Sequence, residues 1–187
     1  NLLSLLNSRA DLFLVNLFLS PASTGLYVIA VQLAERLWML SQAVAFVLVP
    51  RISAMHRDPE GRARLATRSF WFVVGMTAAA GCAAACVLFW LLVPVFGEAY
   101  AEVFEVFLWL LPGIVAFAGA RIHANAIAAS GRPDWNVRIS AGVFCVNLIG
   151  NVLLIPTYGI IGAACASSIA YVLSAILAYW LHGRLDL

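Results

Sequence analysis

The sequence predicts an all-α membrane protein, a bundle of six transmembrane helices. Of its residues, 64% are hydrophobic and 11% are charged, and the mean hydropathy is +0.96. One uncharged run of 29 residues separates Arg68 from Glu98, and another of 43 residues separates Arg138 from His182. Each run exceeds the roughly 20 residues with which a helix crosses the hydrocarbon core. Soluble globular domains have neither this composition nor such runs, so a soluble enzyme is excluded.

The first predicted span covers residues 2–19 and ends before Pro21, which begins a short polar turn. Arg9 and Asp11 lie inside this apolar segment. Each charge at membrane depth costs about 2.5 to 3.5 kcal/mol on insertion scales, so such residues usually face a bundle interior or a watery cavity. The two charges therefore predict a polar interior next to this helix.

The second predicted span covers residues 24–54 and is expected to be one long helix. Glu35 and Arg36 lie well inside it. With a rise of about 1.5 Å per residue from Gly25, Glu35 lies about 15 Å in, near the middle of a hydrocarbon core about 30 Å thick. A charged cavity is expected to form around this helix.

The third and fourth predicted spans cover residues 69–95 and 106–128. Trp71 and Trp90 bracket the third span, at levels where a membrane–water interface favours tryptophan. Pro112 lies near the start of the fourth span, where a missing backbone N–H predicts a kink.

The fifth and sixth predicted spans share the longest uncharged run, which is too long for one crossing. The break is expected between Pro156 and Gly159, since proline and glycine interrupt regular structure. Residues 138–156 and 159–182 are therefore predicted to form a helical hairpin.

The distribution of arginine predicts the orientation of the chain. The connectors 51–68 and 130–138 and the C-terminal tail hold eight of the eleven basic residues, namely Arg51, Arg57, Arg62, Arg64, Arg68, Arg132, Arg138 and Arg184. The positive-inside rule places this side in the cytoplasm, together with both ends of the chain. The chain starts without Met and shows no signal peptide, so it is expected to be a piece of a longer protein.

Four cysteines, Cys82, Cys86, Cys145 and Cys165, fall within apolar runs and are expected to be small packing residues between helices. No His or carboxylate nearby completes a metal site. The sequence has no nucleophile motif and no phosphate-binding glycine loop, and its formal charge of +2 does not favour nucleic acid. It therefore predicts neither an enzyme nor a cofactor or metal.

Four ionisable residues are predicted to lie at one level, about 12 to 17 Å from the outer helix ends: Arg9, Asp11, Glu35 and Arg36. Neighbouring residues on a helix point about 100° apart, so Glu35 and Arg36 are poorly placed to pair with each other. Asp11 is expected to pair with Arg36, and Arg9 with Glu35. Because arginine presents a planar fork suited to phosphate oxygens, a pyrophosphate headgroup is the predicted ligand. The alternative is a fixed ion-pair network that only holds helices in register.

Three further positions are candidates for substrate contact: Arg121, Asn147 and Asn151. Arg121 is either a second anion contact near the cytoplasmic mouth or a side chain that snorkels to the interface. The asparagines are one turn apart on one face, which predicts interhelical hydrogen bonds or, alternatively, contact with a sugar. His123 is expected to be an interface residue rather than a proton carrier.

Several segments resemble a known family. They are SRADLFLVNLFLSPASTGLYVIAVQLAERL, VPRISA, FGEAYAEVFEVFLWLLPG, AASGRP and NLIGNVLLIPTYGIIGAACASSIAYVL. In order and spacing they resemble the second half of polysaccharide exporters, the oligosaccharide flippase branch of the multidrug/oligosaccharidyl-lipid/polysaccharide (MOP) superfamily. The resemblance implies a twelve- or fourteen-helix transporter with two six-helix lobes around a central cavity. Residues 1–187 would form the C-terminal lobe, and the N-terminal lobe is absent from this chain.

The resemblance also implies a function. It is the flipping of an undecaprenyl-pyrophosphate-linked oligosaccharide across the bacterial inner membrane by alternating access, for a surface polysaccharide such as the O-antigen of lipopolysaccharide. The implied partners are the lipid bilayer, the lipid-linked oligosaccharide and the missing lobe. A coupling proton or sodium ion and the polysaccharide polymerase machinery are further partners that this function allows.

A sister branch of the superfamily is a second interpretation. The segment AERL, with Glu35 and Arg36, is similar to the acid–arginine pair of lipid II flippases, where the arginine helps to bind the lipid headgroup. The segment SQAVAF stands where those flippases often have a Pro-Gly step. This difference favours the oligosaccharide flippase branch over the lipid II flippase branch. Two more functions are compatible with the sequence, namely a drug or cation antiporter of the same superfamily and a non-transporting scaffold of a glycan synthase.

Overall fold

The computed structural model describes residues 9–55, 58–129 and 131–184, and nearly all of them lie in helices. The elements are α1 (Ala10–Phe18), α2 (Pro21–Arg36), α3 (Trp38–Ala54), α4 (Pro59–Phe96), α5 (Ala101–Ala129) and α6 (Pro133–Arg184), with a 3-10 turn, Glu98–Tyr100, before α5. The start of the predicted span 2–19 lies outside the described residues. Within them, the expected all-α class is confirmed.

Three helices are long and apolar enough to cross a membrane: Glu60–Phe96, Glu98–Ala128 and Pro133–Leu181. On α4, Trp71 and Trp90 are 62% and 74% exposed. They lie about 28 Å apart along the helix axis, close to the thickness of a hydrocarbon core, about 30 Å. Together, these helices confirm the expectation of a multi-pass membrane protein.

Helix α6 is a hairpin of two antiparallel arms rather than one straight helix. A straight helix of 52 residues would be about 78 Å long, more than twice the hydrocarbon core. At Gly159 the backbone has φ 59° and ψ −140°, in the region that favours glycine. The first arm, 133–158, and the second arm, 160–184, then approach so closely that Gly162 packs against the carbonyl of Leu154. The break predicted between Pro156 and Gly159 is confirmed.

Helix α5 is the centre of the bundle and packs against α2, α3, α4 and α6. Gly113 allows α6 to approach closely, since a Cβ there would lie 2.5 Å from Ser168 Cα. The helix continues through Pro112, and the Gly113 N–H donates to Ser168 Oγ at 2.8 Å. Gly119 similarly allows Phe70 of α4 to approach α5. Small residues therefore set the helix spacing, as is usual in membrane bundles.

The largest apolar core lies where α1, α2, α5 and α6 meet. Val15, Tyr27, Phe107 and Ile155 are fully buried there. The opposite faces carry large exposed apolar side chains, which suits contact with lipid rather than with water.

Helix α2 begins four residues earlier than the Gly25 start used for the sequence estimate. Ser20 caps it by accepting a hydrogen bond from the Ser23 N–H at 3.2 Å, and Pro21 occupies the first helical position, where proline is favoured. The predicted turn is therefore the first turn of the helix. As a consequence, Glu35 lies about 21 Å from the helix start rather than about 15 Å.

The expected long helix over residues 24–54 is interrupted at one residue, Leu37. The Leu37 N–H bonds to the Ala34 carbonyl at 3.1 Å, three residues back, which tightens the turn. This places Glu35 and Arg36 in the last turn of α2, directly before α3 begins.

The polar connectors are shorter than expected because the following helices begin within them. Asp58 caps α4 by accepting the Gly61 N–H at 2.9 Å. Arg62, Arg64 and Arg68 therefore lie on the first turns of α4 rather than in a loop. Arg57 lies outside the described residues.

The interpretation of the cysteines as packing residues is wrong for three of the four. Cys82, Cys86 and Cys145 are exposed on the outside of the bundle, and Cys165 is half-buried. On α4 the contact with α5 is made by Gly81, next to Cys82, against Leu111. A run of small residues does not reveal which of its faces meets a neighbouring helix.

Candidate functional site

A buried carboxylate, Asp11, lies at the centre of the candidate site. Its side chain, in the first turn of α1, is 3% exposed. It accepts hydrogen bonds from the Tyr27 hydroxyl at 2.9 Å, the Leu12 N–H at 2.8 Å and the Ser167 hydroxyl at 3.5 Å. A carboxylate is tolerated among apolar side chains only when its oxygens have such donors. Helices α1, α2 and α6 together supply them.

The hydrogen bonds continue from Ser167 into the first arm of α6. Asn147 Nδ2 donates to Ser167 Oγ at 3.2 Å, across the two arms. Asn151 Nδ2 donates to the backbone carbonyl and to the side-chain oxygen of Asn147, at 2.8 and 2.9 Å. Asn147, Asn151 and Ser167 are all buried. These three residues, Asp11 and Tyr27 form one network, which we call the Asp11 cluster.

One oxygen of the Asp11 cluster lacks a hydrogen-bond partner. Asn151 Oδ1 is buried and accepts no hydrogen bond from any of the described residues. A buried acceptor without a donor costs about 1 to 3 kcal/mol, so it calls for an explanation such as a bound ion or water. The cluster offers carboxylate, amide and hydroxyl oxygens, which suit a hard cation or a proton better than a transition metal. No group of three or more His, Cys, Asp or Glu lies together within the described ranges.

The other three residues of the predicted charged layer lie outside this cluster. Arg9 and Arg36 are exposed, and Glu35 is half-buried. The charges of both arginines act electrostatically on Glu35. Among the described residues, however, no ion pair within 4.0 Å joins any of these groups. The expected pair of Asp11 with Arg36 is therefore wrong, since Asp11 has Tyr27 as its partner. Arg9 acts on Glu35 electrostatically but does not contact it as an ion pair.

The helix boundaries also separate the predicted layer into two levels. Measured along the helices from the turn between α1 and α2, Asp11 lies about 12 Å in and Glu35 about 22 Å in. The difference arises because α2 starts at Pro21. Asp11 therefore lies level with the middle of α2, and Glu35 and Arg36 lie near its far end.

Arg121 lies apart from the Asp11 cluster. It is half-buried on α5, one helical turn from Asn125. Asn125 lines a groove of about 320 Å³ between α3 and α5, together with Gln42 and Phe46. Arg121 is thus near a partly polar groove.

The expectation of an interface position for His123 is wrong. The side chain is fully buried, with its ring 4.9 Å from that of Phe70 and 5.4 Å from that of Tyr179. These rings belong to α4 and α6, so His123 of α5 packs between the two neighbouring helices.

Sequence reasoning missed two members of the Asp11 cluster, Tyr27 and Ser167. Ser167 belongs to the run GIIGAACASS, whose small residues indicate close helix packing, and Tyr27 is a single polar group in an apolar helix. The signal in the sequence is the pair of hydroxyls, Ser167 and Ser168, within an otherwise apolar arm. Both are buried and bonded, to Asp11 and to Gly113 respectively.

The long apolar helices and the buried polar cluster define the class of the protein, an α-helical multi-pass membrane protein. The family follows from comparison with known proteins. The family model described as "Lipid II flippase MurJ" matches residues 2–186. The chain belongs to the MurJ family of lipid II flippases.

A curated relative is also a flippase by name. The probable flippase AglR of Haloferax volcanii is 27% identical over 184 residues, which cover 95% of this chain and 38% of the relative. The chain therefore spans less than half the length of the relative that it matches. No solved structure matches.

The family shown is the branch that the sequence analysis places second. The resembling segments favour the oligosaccharide branch, and SQAVAF in place of a Pro-Gly step makes the lipid II branch the second interpretation. This departure lies in α3, just after the Leu37 turn, and does not remove the chain from the lipid II flippase family.

Proposed function

We propose that this chain is part of a flippase that carries a polyprenyl-pyrophosphate-linked saccharide across a membrane by alternating access. The observation that carries the proposal is the match of the lipid II flippase family over residues 2–186. Lipid II is the first candidate substrate, because the family to which the chain belongs is named for it. An undecaprenyl-pyrophosphate-linked oligosaccharide for a surface polysaccharide is the second candidate substrate. The similarity to the probable flippase AglR supports the wider class of lipid-linked substrates.

Two exposed arginines, Arg9 and Arg36, are proposed to bind the pyrophosphate. Neither has an ion-pair partner within the described residues, so their guanidinium groups are accessible to an anion. A guanidinium binds phosphate oxygens through two parallel hydrogen bonds. The charges of both arginines act on the Glu35 carboxylate. Glu35 is proposed to attract the two guanidinium groups and hold them near the headgroup site when no substrate is present.

Arg121 is proposed as a second anion contact. Its half-buried position next to Asn125 and the groove between α3 and α5 supports a contact nearer the other end of the bundle. This would give the headgroup a further positively charged position along its path.

The Asp11 cluster is proposed to bind the coupling ion, a proton or a sodium ion. Buried ionisable residues in membrane bundles often serve such a role. The carboxylate of Asp11 and the unpartnered oxygen of Asn151 support it, since both supply negative charge or lone pairs inside the bundle. The asparagines are therefore assigned to the ion rather than to the sugar.

The architecture is proposed to be one lobe of a MOP-type transporter with six spans. The spans are α1, α2 with α3, α4, α5 and the two arms of α6. The missing length of the relative supports a second lobe elsewhere, and the arginine distribution supports both ends of this piece on the cytoplasmic side of a bacterial inner membrane.

Arg36→Ala in the full-length protein tests the proposal. The expected result is loss of at least nine-tenths of the flipping rate, because a charge-assisted contact to phosphate is worth about 1.5 to 3 kcal/mol. Flipping is measured in proteoliposomes with fluorescent lipid II and, separately, with an undecaprenyl-pyrophosphate-linked oligosaccharide. The substrate that the wild type moves identifies the branch.

Arg132→Ala is the matched control, since this exposed arginine precedes α6 and lies outside the bundle. It should flip at the wild-type rate. An unchanged rate for Arg36→Ala would remove Arg36 from substrate binding, and a wild type that moves neither lipid would contradict the proposed function.

A further inference from the structure

A groove of about 430 Å³ lies between α3 and α4, on a different side of α3 from the groove near Arg121. Most of its lining is aliphatic, from Val44, Val47, Leu48, Leu65 and Met76. The groove opens outward, since Val47 is 59% exposed. An apolar groove of this size that opens outward has the lining that suits an acyl chain.

The groove is charged at one end. Arg51, one turn from the end of α3, is the charged residue of its lining. Leu65 lies near this end, and Met76 lies about 16 Å further along α4. The groove therefore runs from an arginine, next to the connector between α3 and α4, toward the membrane interior.

A second arginine, Arg62, lies at the same end of α4. It precedes Leu65 by three residues and Ser69 by seven, so all three share one face of the helix. Arg62 is half-buried, and its Nε is buried without a hydrogen-bond partner in the part of the chain that the structure describes. Arg62 does not line the groove itself, but its charge lies one helical turn from Leu65, which does.

The acidic groups nearby do not neutralise these two arginines. Asp58 accepts the Gly61 N–H at 2.9 Å as the cap of α4. Glu60 pairs with Arg64 at 3.6 Å on the exposed surface. Among the described residues, neither Arg51 nor Arg62 has an ion-pair partner, so this end of the groove carries excess positive charge.

We propose that the groove between α3 and α4 binds one anionic phospholipid, with its phosphate between Arg51 and Arg62 and one acyl chain along Val47 and Met76. Charge complementarity selects this occupant: a positive end at the membrane surface joined to an apolar groove matches a phosphate joined to an acyl chain. A zwitterionic lipid has the same chains but no net charge, so it binds less tightly. The site is separate from Arg9, Arg36 and the Asp11 cluster, and it does not depend on the proposed substrate.

Native mass spectrometry of the full-length protein in detergent tests the site. Phosphatidylglycerol and phosphatidylcholine with identical chains are titrated separately, and the first should bind more tightly. Arg51→Gln and Arg62→Gln should each weaken phosphatidylglycerol binding about fivefold, the effect of one arginine near an anionic headgroup, and leave phosphatidylcholine binding unchanged. Arg132→Gln, an exposed arginine of the other connector, is the control and should change neither.

The acyl-chain part of the groove is tested by Ala43→Trp. Ala43 is an exposed residue of the groove lining, so a large ring there should fill the groove and weaken binding of both lipids. Ala79→Trp places the same ring on an exposed position of α4 outside the lining and should have no effect.

Three results would overturn the proposal. They are equal affinity of the wild type for the two lipids, unchanged phosphatidylglycerol binding in both arginine variants, and one-for-one displacement of phosphatidylglycerol by lipid II. The last result would make the groove a substrate site. Because the readout is binding rather than flipping, it is independent of whether the protein moves lipid II.

Discussion

At the scale of single residues, Asp11 carries the strongest physical constraint in the chain. An ionised carboxylate in a membrane bundle is expensive, and three donors from three helices compensate for that cost. One of them, the Ser167 hydroxyl, is 3.5 Å away, and the neighbouring Asn151 Oδ1 has no partner among the described residues. The Asp11 cluster therefore has short hydrogen bonds on the Tyr27 side. On the α6 side it has one long hydrogen bond and one acceptor without a donor, and a bound ion there would add contacts.

Asp11→Asn tests the role of the charge at nearly constant size. The amide oxygen can still accept from Tyr27, so the fold should persist, but the negative charge that attracts a cation is removed. We expect the flipping rate in proteoliposomes to lose its dependence on an imposed proton or sodium gradient. Glu98→Gln, an exposed carboxylate in the 3-10 turn, should keep the wild-type response. A full gradient response in Asp11→Asn would assign the coupling ion to another site.

At the scale of helices, the hairpin of α6 brings the cluster together. Its two arms place Asn147 opposite Ser167, and the close approach at Gly162 sets the distance between them. Pro156 and the positive φ of Gly159 end the first arm and start the second. The hairpin thus brings Asn147 and Ser167, which are 20 residues apart in sequence, into contact, and Ser167 bonds to Asp11.

Gly162→Leu tests this packing. A side chain at residue 162 would collide with the backbone of Leu154, which cannot move away as a flexible side chain could. We expect a loss of about 1 to 3 kcal/mol in stability, the usual cost of overpacking, seen as a lower unfolding temperature in detergent. Gly142→Leu is the matched control on the same helix, because a Cβ there meets nothing within 4 Å. Equal stability of the two variants would mean that the arms are not closely packed.

At the scale of the whole molecule, the helices place their turns at two ends. Helix α5 separates the α4–α5 turn at Gly97 from the α5–α6 connector at Gly131. The first arm of α6 separates that connector from the α6 turn at Gly159. If α4, α5 and both arms each cross the bilayer, Gly97 and Tyr158 lie on one side and Gly131 on the other. The arginines of the connectors predict that the Gly131 side is cytoplasmic.

Cysteine labelling measures this orientation in the full-length protein. In a background with every native cysteine replaced by alanine, single cysteines are placed at the exposed positions Glu98, Arg132 or Tyr158, next to these turns. A membrane-impermeant maleimide should label the first and third on intact cells, and the second only after the membrane is permeabilised. Labelling of all three from outside would contradict the proposed six-span arrangement.

The elements were largely predictable, and the site only in part. Long uncharged runs indicate membrane helices, because hydrocarbon excludes charges and unsatisfied backbone groups. The break near Gly159 follows from the same limit on helix length. The early start of α2 and the turn at Leu37 were not predicted, since both depend on local hydrogen bonds that add little to the hydropathy pattern.

The sequence by itself determined that the chain lies in a membrane, that it is helical, and that Asp11 needs a polar partner. Only the tertiary structure decided that the partners are Tyr27 and Ser167 rather than an arginine. Asp11 and Ser167 are 156 residues apart, and a hydrogen bond across that separation depends on the packing of α1 against the α6 hairpin. Helix periodicity tells which residues share a face, but the identity of the facing helix is a property of the packed bundle.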